Sequence, residues 1–301
     1  MNGTATQSAG GERRWQGTTN GSAGMHRALT AILRAVNIRL VYAFSALFVV
    51  PVCLFRPGAG HIFRYLRRRA GMSFCRALWG TYRNHCLFGQ VVIDRFAMYA
   101  GKKFTVKIEG YEHFLRLARR PEGFVQLSAH VGNYELGGYS LVAADKPMNA
   151  LVFGGEKESV MHERARMFGH SRIRMIPVTD RSSHLFRLND ALASGEIVSM
   201  PADRSMGSLK TVEADFMGGK AQFPAGPFRT AVMRGCDTLA VNVMKSGATE
   251  YTIYVTPLDY DRTLGRDRQT AQLAAAYAAE LERVLRKYPL QWYNFFEFWN
   301  E

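Results

Sequence analysis

The sequence predicts a single α/β domain with a mixed, mostly parallel sheet flanked by helices, preceded by an apolar and basic membrane anchor. Two observations carry this prediction. From residue 104 onward, short apolar runs alternate with amphipathic segments, a pattern typical of α/β domains with a mostly parallel or mixed sheet. Before residue 70, an uncharged apolar run is flanked by arginines, which favours a segment that binds membranes.

The order of strands and helices follows from the hydrophobic periodicity. Apolar runs predict strands at 104–109, 123–129, 148–153, 173–178, 196–201, 237–245 and 251–258. Helical spacing predicts helices at 134–144, 156–168, 182–194 and about 268–287, the last closed by Pro289. We expect the last two strands to pair with each other.

The positive charge lies in the N-terminal quarter of the chain. The formal net charge is +14, and residues 1–80 hold eleven arginines against one acid, Glu12. We therefore divide the chain into a disordered Gly/Ser/Thr-rich tail at 1–24, a membrane-anchoring helical segment at 25–70 and an α/β domain at 71–301. Nucleic acid is not expected as a partner, because the charge flanks an apolar run and accompanies no nucleic-acid-binding signature.

Residues 40–55 have three interpretations. This uncharged run of sixteen residues is shorter than the ~20 needed for a full crossing, and Pro51 weakens its last turn as a regular helix. A secretory signal is disfavoured because no small-residue cleavage site follows, and a buried core helix is the second possibility. We favour an anchor that dips into or crosses the bilayer, because the arginines at 64–69 suit the cytoplasmic face of a membrane and an anionic membrane surface.

The composition gives little sign of metal, cofactor or disulfide chemistry. The four cysteines have no CxxC spacing and are interpreted as apolar filler in a reducing compartment. We find no metal-ligand spacing, no phosphate-binding glycine loop and no G-x-S-x-G elbow. The sequence therefore predicts no cofactor and no metal.

The strongest candidate for a catalytic site is SAHVGNYELGG at 128–138. His130 is expected on the loop after a strand, and Glu135 in the first turn of the next helix, with Gly132 at the bend and Asn133 as N-cap. A neutral imidazole can take a proton from a hydroxyl, and a carboxylate on its other nitrogen fixes the tautomer. A buried histidine with a satisfied hydrogen bond is the alternative that this spacing leaves open.

SAHVGNYE resembles the H-x4-D/E motif of the lysophospholipid acyltransferase superfamily, in the form found in lipid A biosynthesis (lauroyl and myristoyl) acyltransferases. Three further segments are similar to that family: SMPADRSMGS at 199–208, GGKAQFPAGPFRTAVMRG at 218–235 and RKYPLQWYNFFEFW at 286–299. Together with the anchor, which matches in character only, the resemblance covers roughly residues 25–299.

The resemblance implies an O-acyltransferase on the cytoplasmic face of the inner membrane. Its donor would be a thioester of acyl carrier protein or coenzyme A, and its acceptor a membrane lipid of the lipid A type. His130 would be the general base and Glu135 its partner. Asn133, Asp203 and Arg204 would contact substrate, with Arg204 holding a phosphate or polarising the thioester; a surface turn is the alternative for the last two.

Several interpretations remain open at this stage. The charged run at 162–166, which includes Arg164, either binds an anionic headgroup or donor or is a solvated helix face. The acceptor is either a lipid A-type glycolipid or another lipid, such as an amino-acid or aryl-polyene-type lipid. A non-catalytic membrane scaffold with the same fold is the alternative from a different functional class.

Overall fold

The N-terminal part of the protein is a series of short helices packed on one long helix. The computed structural model describes residues 23–56, 58–141, 143, 145–153, 172–178, 183–204 and 210–299. The short helices are α1 (Ala23–Ala35), α2 (Ile38–Phe44), α3 (Val50–Leu54) and α4 (Gly58–Arg64), with π-helical turns at Ser45–Val49 and Tyr65–Arg69. The long helix is α5 (Phe74–Tyr99).

Two local features mark the starts of α2 and α3. The Asn37 side chain accepts a hydrogen bond from the backbone N–H of Arg39 at 3.0 Å, which caps α2. Pro51 lies near the start of α3, directly after the π-helical turn Ser45–Val49, and it has no N–H to donate within this helical run. Among the described residues no single helix is long and apolar enough to span a membrane. One bent pair, Ile38–Leu54 with Gly58–Arg69 at 94°, meets the criteria of length and composition.

The α/β domain is built on a seven-stranded sheet. Its strands are β1 (Thr105–Glu109), β2 (Phe124–Ser128), β3 (Met148–Phe153), β4 (Ile173–Val178), β5 (Ile197–Pro201), β8 (Thr238–Lys245) and β9 (Glu250–Pro257). The order is β1-β9-β8-β2-β5-β3-β4, and every neighbouring pair is parallel except β8 and β9. The prediction of a mixed, mostly parallel sheet is confirmed, as is the pairing of the last two strands.

Helices and a separate hairpin complete the domain. The helices are α6 (Tyr111–Ala118), α7 (Tyr134–Ser140), α8 (Ser183–Ala193), α9 (Ala225–Arg234) and α10 (Arg266–Lys287), and a 3-10 turn follows at Pro289–Gln291. The hairpin pairs β6 (Thr211–Phe216) with β7 (Gly219–Pro224). Its Phe216 and Phe223 pack with Trp292, Phe298 and Tyr277 in the larger hydrophobic core.

The predicted elements agree with the structure within a few residues, with three exceptions. Helix α7 ends at Ser140, before the expected residue 144, and neither α5 nor the hairpin was predicted. The hairpin strands carry polar residues on their exposed face, and α5 buries polar side chains among its apolar ones. The hydrophobic periodicity that predicts strands and helices is therefore weak in both places. Residues 1–22 of the predicted tail at 1–24 and the predicted helix at 156–168 lie outside the described residues, and α1 begins at Ala23.

Candidate active site

His130 and Asp203 meet at the carboxyl end of the sheet. Strands β2 and β5 are parallel neighbours, with Ser128 opposite Pro201. His130 and Asp203 each lie two residues beyond these positions, and the N–H of Ala202 donates to the carbonyl of Ser128 at 2.9 Å. Because parallel strands in register end at the same edge, the two side chains are brought together across 73 residues of sequence.

The two side chains form a close hydrogen-bonded pair. Nδ1 of His130 lies 2.7 Å from Oδ1 of Asp203, and the backbone N–H of His130 donates to Oδ2 at 2.9 Å. Asp203 is 1% exposed, whereas the His130 side chain keeps 23% of its surface exposed. The carboxylate therefore orients the ring by two bonds, while part of the imidazole remains accessible.

The electrostatics favour a neutral imidazole beside an ionised carboxylate. Burial raises the pKa of Asp203, but its interactions with His130 and Arg204 outweigh this effect and lower the pKa to about 2. Burial lowers the pKa of His130 below its ordinary value, partly opposed by the Asp203 charge. Since an ionised carboxylate only accepts hydrogen bonds, Nδ1 must carry the proton, which leaves the lone pair of His130 on Nε2.

The predicted pairing of His130 with Glu135 is wrong, because the nitrogen expected to face Glu135 faces Asp203. The carboxylate of Glu135 instead lies 2.9 Å from Nε of Arg95 on α5. The ring of Tyr134 packs edge-on against the His130 ring at 5.5 Å. Successive residues on a helix diverge by about 100°, so Tyr134 occupies the side of α7 that faces His130 and Glu135 turns towards α5.

Gly132 and Asn133 fix the loop that joins β2 to α7. Gly132 has a φ of +49°, and a Cβ there would lie 1.9 Å from the carbonyl oxygen of Val243, so the close approach to β8 requires glycine. Asn133 takes the N-cap position, as predicted, but its side chain makes no capping bond. It is buried, and its Nδ2 lies 3.5 Å from the hydroxyl of Tyr251 on β9. The side chain therefore holds the loop against the sheet.

The amides of this loop are already used. The N–H of Gly132 donates to Gln291 and that of Asn133 donates to Val243, at 2.9 and 2.8 Å. These two groups therefore stabilise the loop against the C-terminal segment and β8. They are therefore not available to stabilise an oxyanion, although backbone amides at the start of a helix can do so when they are free.

The C-terminal segment after α10 supports the pair from a second direction. Val131 bridges Trp292 in antiparallel fashion, and the N–H of Tyr293 donates to the carbonyl of His130 at 3.1 Å. The indole N–H of Trp292 points to Oδ2 of Asp203 at 3.4 Å. In the sequence this segment is marked only by its similarity to the family, and no pattern predicted these contacts; the Gln291-Trp292 pair was the available signal.

Arg204 lies next to the pair and contacts the same segment. Its Nη2 donates to the carbonyl of Tyr293 at 2.8 Å, and its guanidinium lies 5.8 Å from the ring centre of Phe296. Burial lowers the pKa of Arg204, opposed by Asp203. The alternative of a surface turn for Asp203 and Arg204 is wrong, because Asp203 is fully buried. Arg164 lies outside the described residues.

A buried ion pair joins α5 to β8, near the loop between β2 and α7. The Asp94 carboxylate on α5 contacts Nζ of Lys245 at 2.5 Å and accepts hydrogen bonds from the hydroxyls of Tyr42 and Tyr251. The side chain of Gln291 binds both backbone groups of Lys245, at 2.9 and 2.7 Å. This network joins α2, α5, β8 and β9 to the C-terminal segment that holds His130.

The arrangement has the parts of a general base: an accessible imidazole, a fixed tautomer and an ionised orienting carboxylate. Comparisons with known proteins identify the family of the chain. A family model described as bacterial lipid A biosynthesis acyltransferase matches residues 94–301, more than half of the chain. No curated protein matches significantly.

Among solved structures, the 1-acyl-sn-glycerophosphate (LPA) acyltransferase PlsC from Thermotoga maritima is similar, with 12% sequence identity and a TM-score of 0.38. The match covers 89% of this chain and 99% of that chain. A similarity this distant carries no argument about the present site. The family match covers more than half of the chain, so the chain belongs to the bacterial lipid A biosynthesis acyltransferase family.

Proposed function

We propose that this acyltransferase moves a fatty acyl chain from a thioester to a hydroxyl of a lipid A-type or related glycolipid, with His130 as the general base. The observation that carries the proposal is the 2.7 Å contact between Nδ1 of His130 and the buried carboxylate of Asp203. It leaves Nε2 as the basic nitrogen. Asp203 takes the orienting role that the sequence analysis gave to Glu135.

The reaction needs no covalent enzyme intermediate. Nε2 of His130 takes the proton of the acceptor hydroxyl as its oxygen attacks the thioester carbonyl. When the carbon–sulfur bond breaks, the thiolate takes that proton from the imidazolium and leaves as the thiol of acyl carrier protein or coenzyme A. Asp203 remains ionised and stabilises the imidazolium in between.

Glu135 has a supporting role in this scheme. Its contact with Arg95 joins α7 to α5, and the ring of Tyr134 at the start of α7 packs against His130. Arg204 is positioned beside Asp203 to attract the anionic part of a substrate, because a guanidinium is a permanent cation.

We propose that the N-terminal helices bind the cytoplasmic face of the inner membrane. Large apolar side chains are exposed on α2, the π-helical turn and α3, and Phe55 beyond them is 91% exposed. Phe74, Leu78 and Trp79 extend this surface onto α5. An exposed apolar surface of this kind next to many arginines suits an anionic bilayer.

The function is tested by lipid mass spectrometry of a deletion strain. The strain is complemented with the wild-type protein, with His130→Ala or with His113→Ala, a surface histidine on α6 as the matched control. We expect one lipid to lose one acyl chain in the deletion strain, and only the wild-type protein and the control to restore it. Restoration by His130→Ala at equal protein level would contradict the proposed base. The mass of the lipid that loses the acyl chain identifies the acceptor.

The donor is tested with the purified protein. Acyl carrier protein and coenzyme A thioesters of the same acyl chain are supplied separately with the lipid found in the deletion strain. Transfer from one of them identifies the donor. Absence of transfer from both, with a correctly folded protein, would favour the non-catalytic scaffold.

A further inference from the structure

Trp292 of the C-terminal segment carries a single side-chain polar group, and that group points to Asp203. The side chain is fully buried, and its indole N–H donates to Oδ2 of Asp203 at 3.4 Å. An indole has this one donor and no acceptor. At 3.4 Å the bond is long, so its strength depends on how firmly the ring is held in place.

Aromatic rings from three parts of the chain hold the Trp292 ring. Tyr65, in the π-helical turn after α4, and Phe216, on β6, meet it edge-on, with ring centres 5.0 and 5.6 Å away. Phe298 and Trp299 of the C-terminal segment do the same at 5.0 and 5.7 Å. Edge-to-face contacts favour a narrow range of geometries. Together they leave the indole N–H little freedom to turn away from the carboxylate.

The backbone around Trp292 is bonded to the loop that carries His130. An antiparallel bridge joins Trp292 to this loop. On one side of it, the carbonyl of Gln291 accepts the N–H of Gly132 at 2.9 Å; on the other, the N–H of Tyr293 donates to the carbonyl of His130 at 3.1 Å. The backbone of the segment therefore fixes the histidine, while the side chain of Trp292 reaches the carboxylate.

The carboxylate of Asp203 needs this restraint, because its terminal torsion has only broad preferences of its own. Oδ1 faces Nδ1 of His130 at 2.7 Å, and Oδ2 accepts the backbone N–H of His130 at 2.9 Å. The indole N–H adds a second donor on Oδ2. Rotation of the carboxylate away from this position would weaken all three contacts, so the indole helps to keep Oδ1 on the imidazole.

We propose that Trp292 is a positioning residue for His130 and Asp203: its indole N–H, held by the surrounding rings, keeps the carboxylate in the orientation that fixes the imidazole. The inference rests on the proposed role of His130 as the general base. It also gives the hairpin and the π-helical turn after α4 a function in the site, through the rings of Phe216 and Tyr65.

The indole N–H also bears on the protonation of His130. A donor on Oδ2 stabilises the negative charge of Asp203 and so weakens the attraction of that charge for a proton on the imidazole. Removing the donor should therefore raise the pKa of His130. A residue that only filled space in the core would change the melting temperature and leave this pKa where it is.

Other titratable groups beside the pair stay in place when the indole is replaced. Burial and the positive charge of Arg204 lower the pKa of the imidazole, and Tyr134 packs edge-on against its ring. Tyr277 and Tyr293 stay neutral, because burial raises the pKa of each phenol. A change in the His130 pKa on replacement of the indole alone is therefore assigned to the lost N–H.

The test is the pKa of His130, measured by NMR of isotope-labelled histidine in the full-length protein in detergent, without substrate. His130→Ala identifies the signal. Trp292→Phe is compared with Trp299→Phe, which removes an indole from the same aromatic cluster; the Trp299 nitrogen has no hydrogen-bond partner among the described residues. We expect Trp292→Phe to raise the pKa by about half a unit, a roughly threefold change in the protonation equilibrium, and Trp299→Phe to leave it at the wild-type value.

The second variant replaces Trp292 with 3-benzothienylalanine, which keeps the two fused rings and exchanges the N–H for sulfur. The packing and the melting temperature should change little, and the His130 pKa should rise as in Trp292→Phe. A wild-type pKa in this variant, or an equal rise in Trp299→Phe, would overturn the proposal.

Kinetics of acyl transfer give an independent check. In Trp292→Phe we expect kcat/KM to fall about tenfold at high pH and its acid limb to move to higher pH, with little change in KM because Trp292 is fully buried. An acid limb that moves to lower pH would contradict the proposal. If the wild-type protein transfers no acyl group, the proposed function fails, whereas the NMR measurement still decides whether Trp292 holds the pair.

Discussion

At His130, opposing effects set the pKa of the imidazole. Burial lowers it, Asp203 raises it again through its negative charge and hydrogen bond, and the positive charge of Arg204 lowers it. The net direction is downward, so the neutral ring predominates at neutral pH, where it accepts a proton. Transfer should follow the neutral form: it falls as the pH drops through the lowered pKa.

Asp203→Asn tests this balance. An amide does not hold the proton on Nδ1 as a carboxylate does, so we expect kcat/KM to fall by about 100- to 10,000-fold. Loss of the negative charge also lowers the His130 pKa further, which moves the acid limb of the pH profile to lower pH.

The control for this change is Asp215→Asn, at an exposed position on the hairpin, for which we expect wild-type kinetics. The measurement is the pH dependence of kcat/KM between pH 5 and 8. An acid limb that moves to higher pH in Asp203→Asn would refute the assignment of charges.

Helix α5 organises the elements around the site by two adjacent charged residues. Asp94 binds Lys245 of β8 and two tyrosines, and Arg95 binds Glu135 of α7. Charges buried in this way cost desolvation energy that only their partners offset. The loss of one partner from either ion pair is therefore expected to destabilise the fold, because the other charge stays buried.

We expect Asp94→Asn to lower the free energy of unfolding by roughly 3–5 kcal/mol, because Lys245 remains buried without its counter-charge. Glu109→Gln breaks the surface pair with Lys107 and should cost less than about 1 kcal/mol. Chemical denaturation of both variants measures the difference. A loss of the same size in the two variants would show that the buried pair contributes no more than a surface pair.

The whole molecule has an asymmetric surface. Exposed apolar side chains and arginines concentrate on the N-terminal helices and the start of α5, whereas Asp94 and Arg95 near the other end of α5 bind the elements around the candidate site. The proposed membrane-binding surface and the candidate active site thus share one long helix as their common support.

We expect the triple variant Leu47→Ser, Phe48→Ser and Val52→Ser to bind vesicles about a hundredfold more weakly, because each side chain loses apolar burial in the bilayer. Binding should also weaken at higher salt, as arginine–lipid attraction is screened. Sedimentation with anionic vesicles measures both effects. Leu185→Ser with Phe186→Ser, also exposed but on α8, is the control; equal losses in the two variants would contradict a specific membrane face.

The sequence alone determined the elements of the sheet and the position of the candidate base. Strands β2 and β5 were located to within one residue at each end, because buried parallel strands are short and almost continuously apolar. His130 was found because it directly follows such a strand. Asp203 was recognised as part of the site, but its role was not.

Only the tertiary structure decided which carboxylate meets His130. Glu135 is five residues away along the chain, yet the first turn of α7 directs it to Arg95. Asp203 is 73 residues away, yet the register of β2 and β5 places it beside the imidazole. The number of residues between two side chains predicts whether they are neighbours only when both lie in the same helix or strand. Contacts between residues at the ends of different strands depend on strand order and register, which no local pattern encodes.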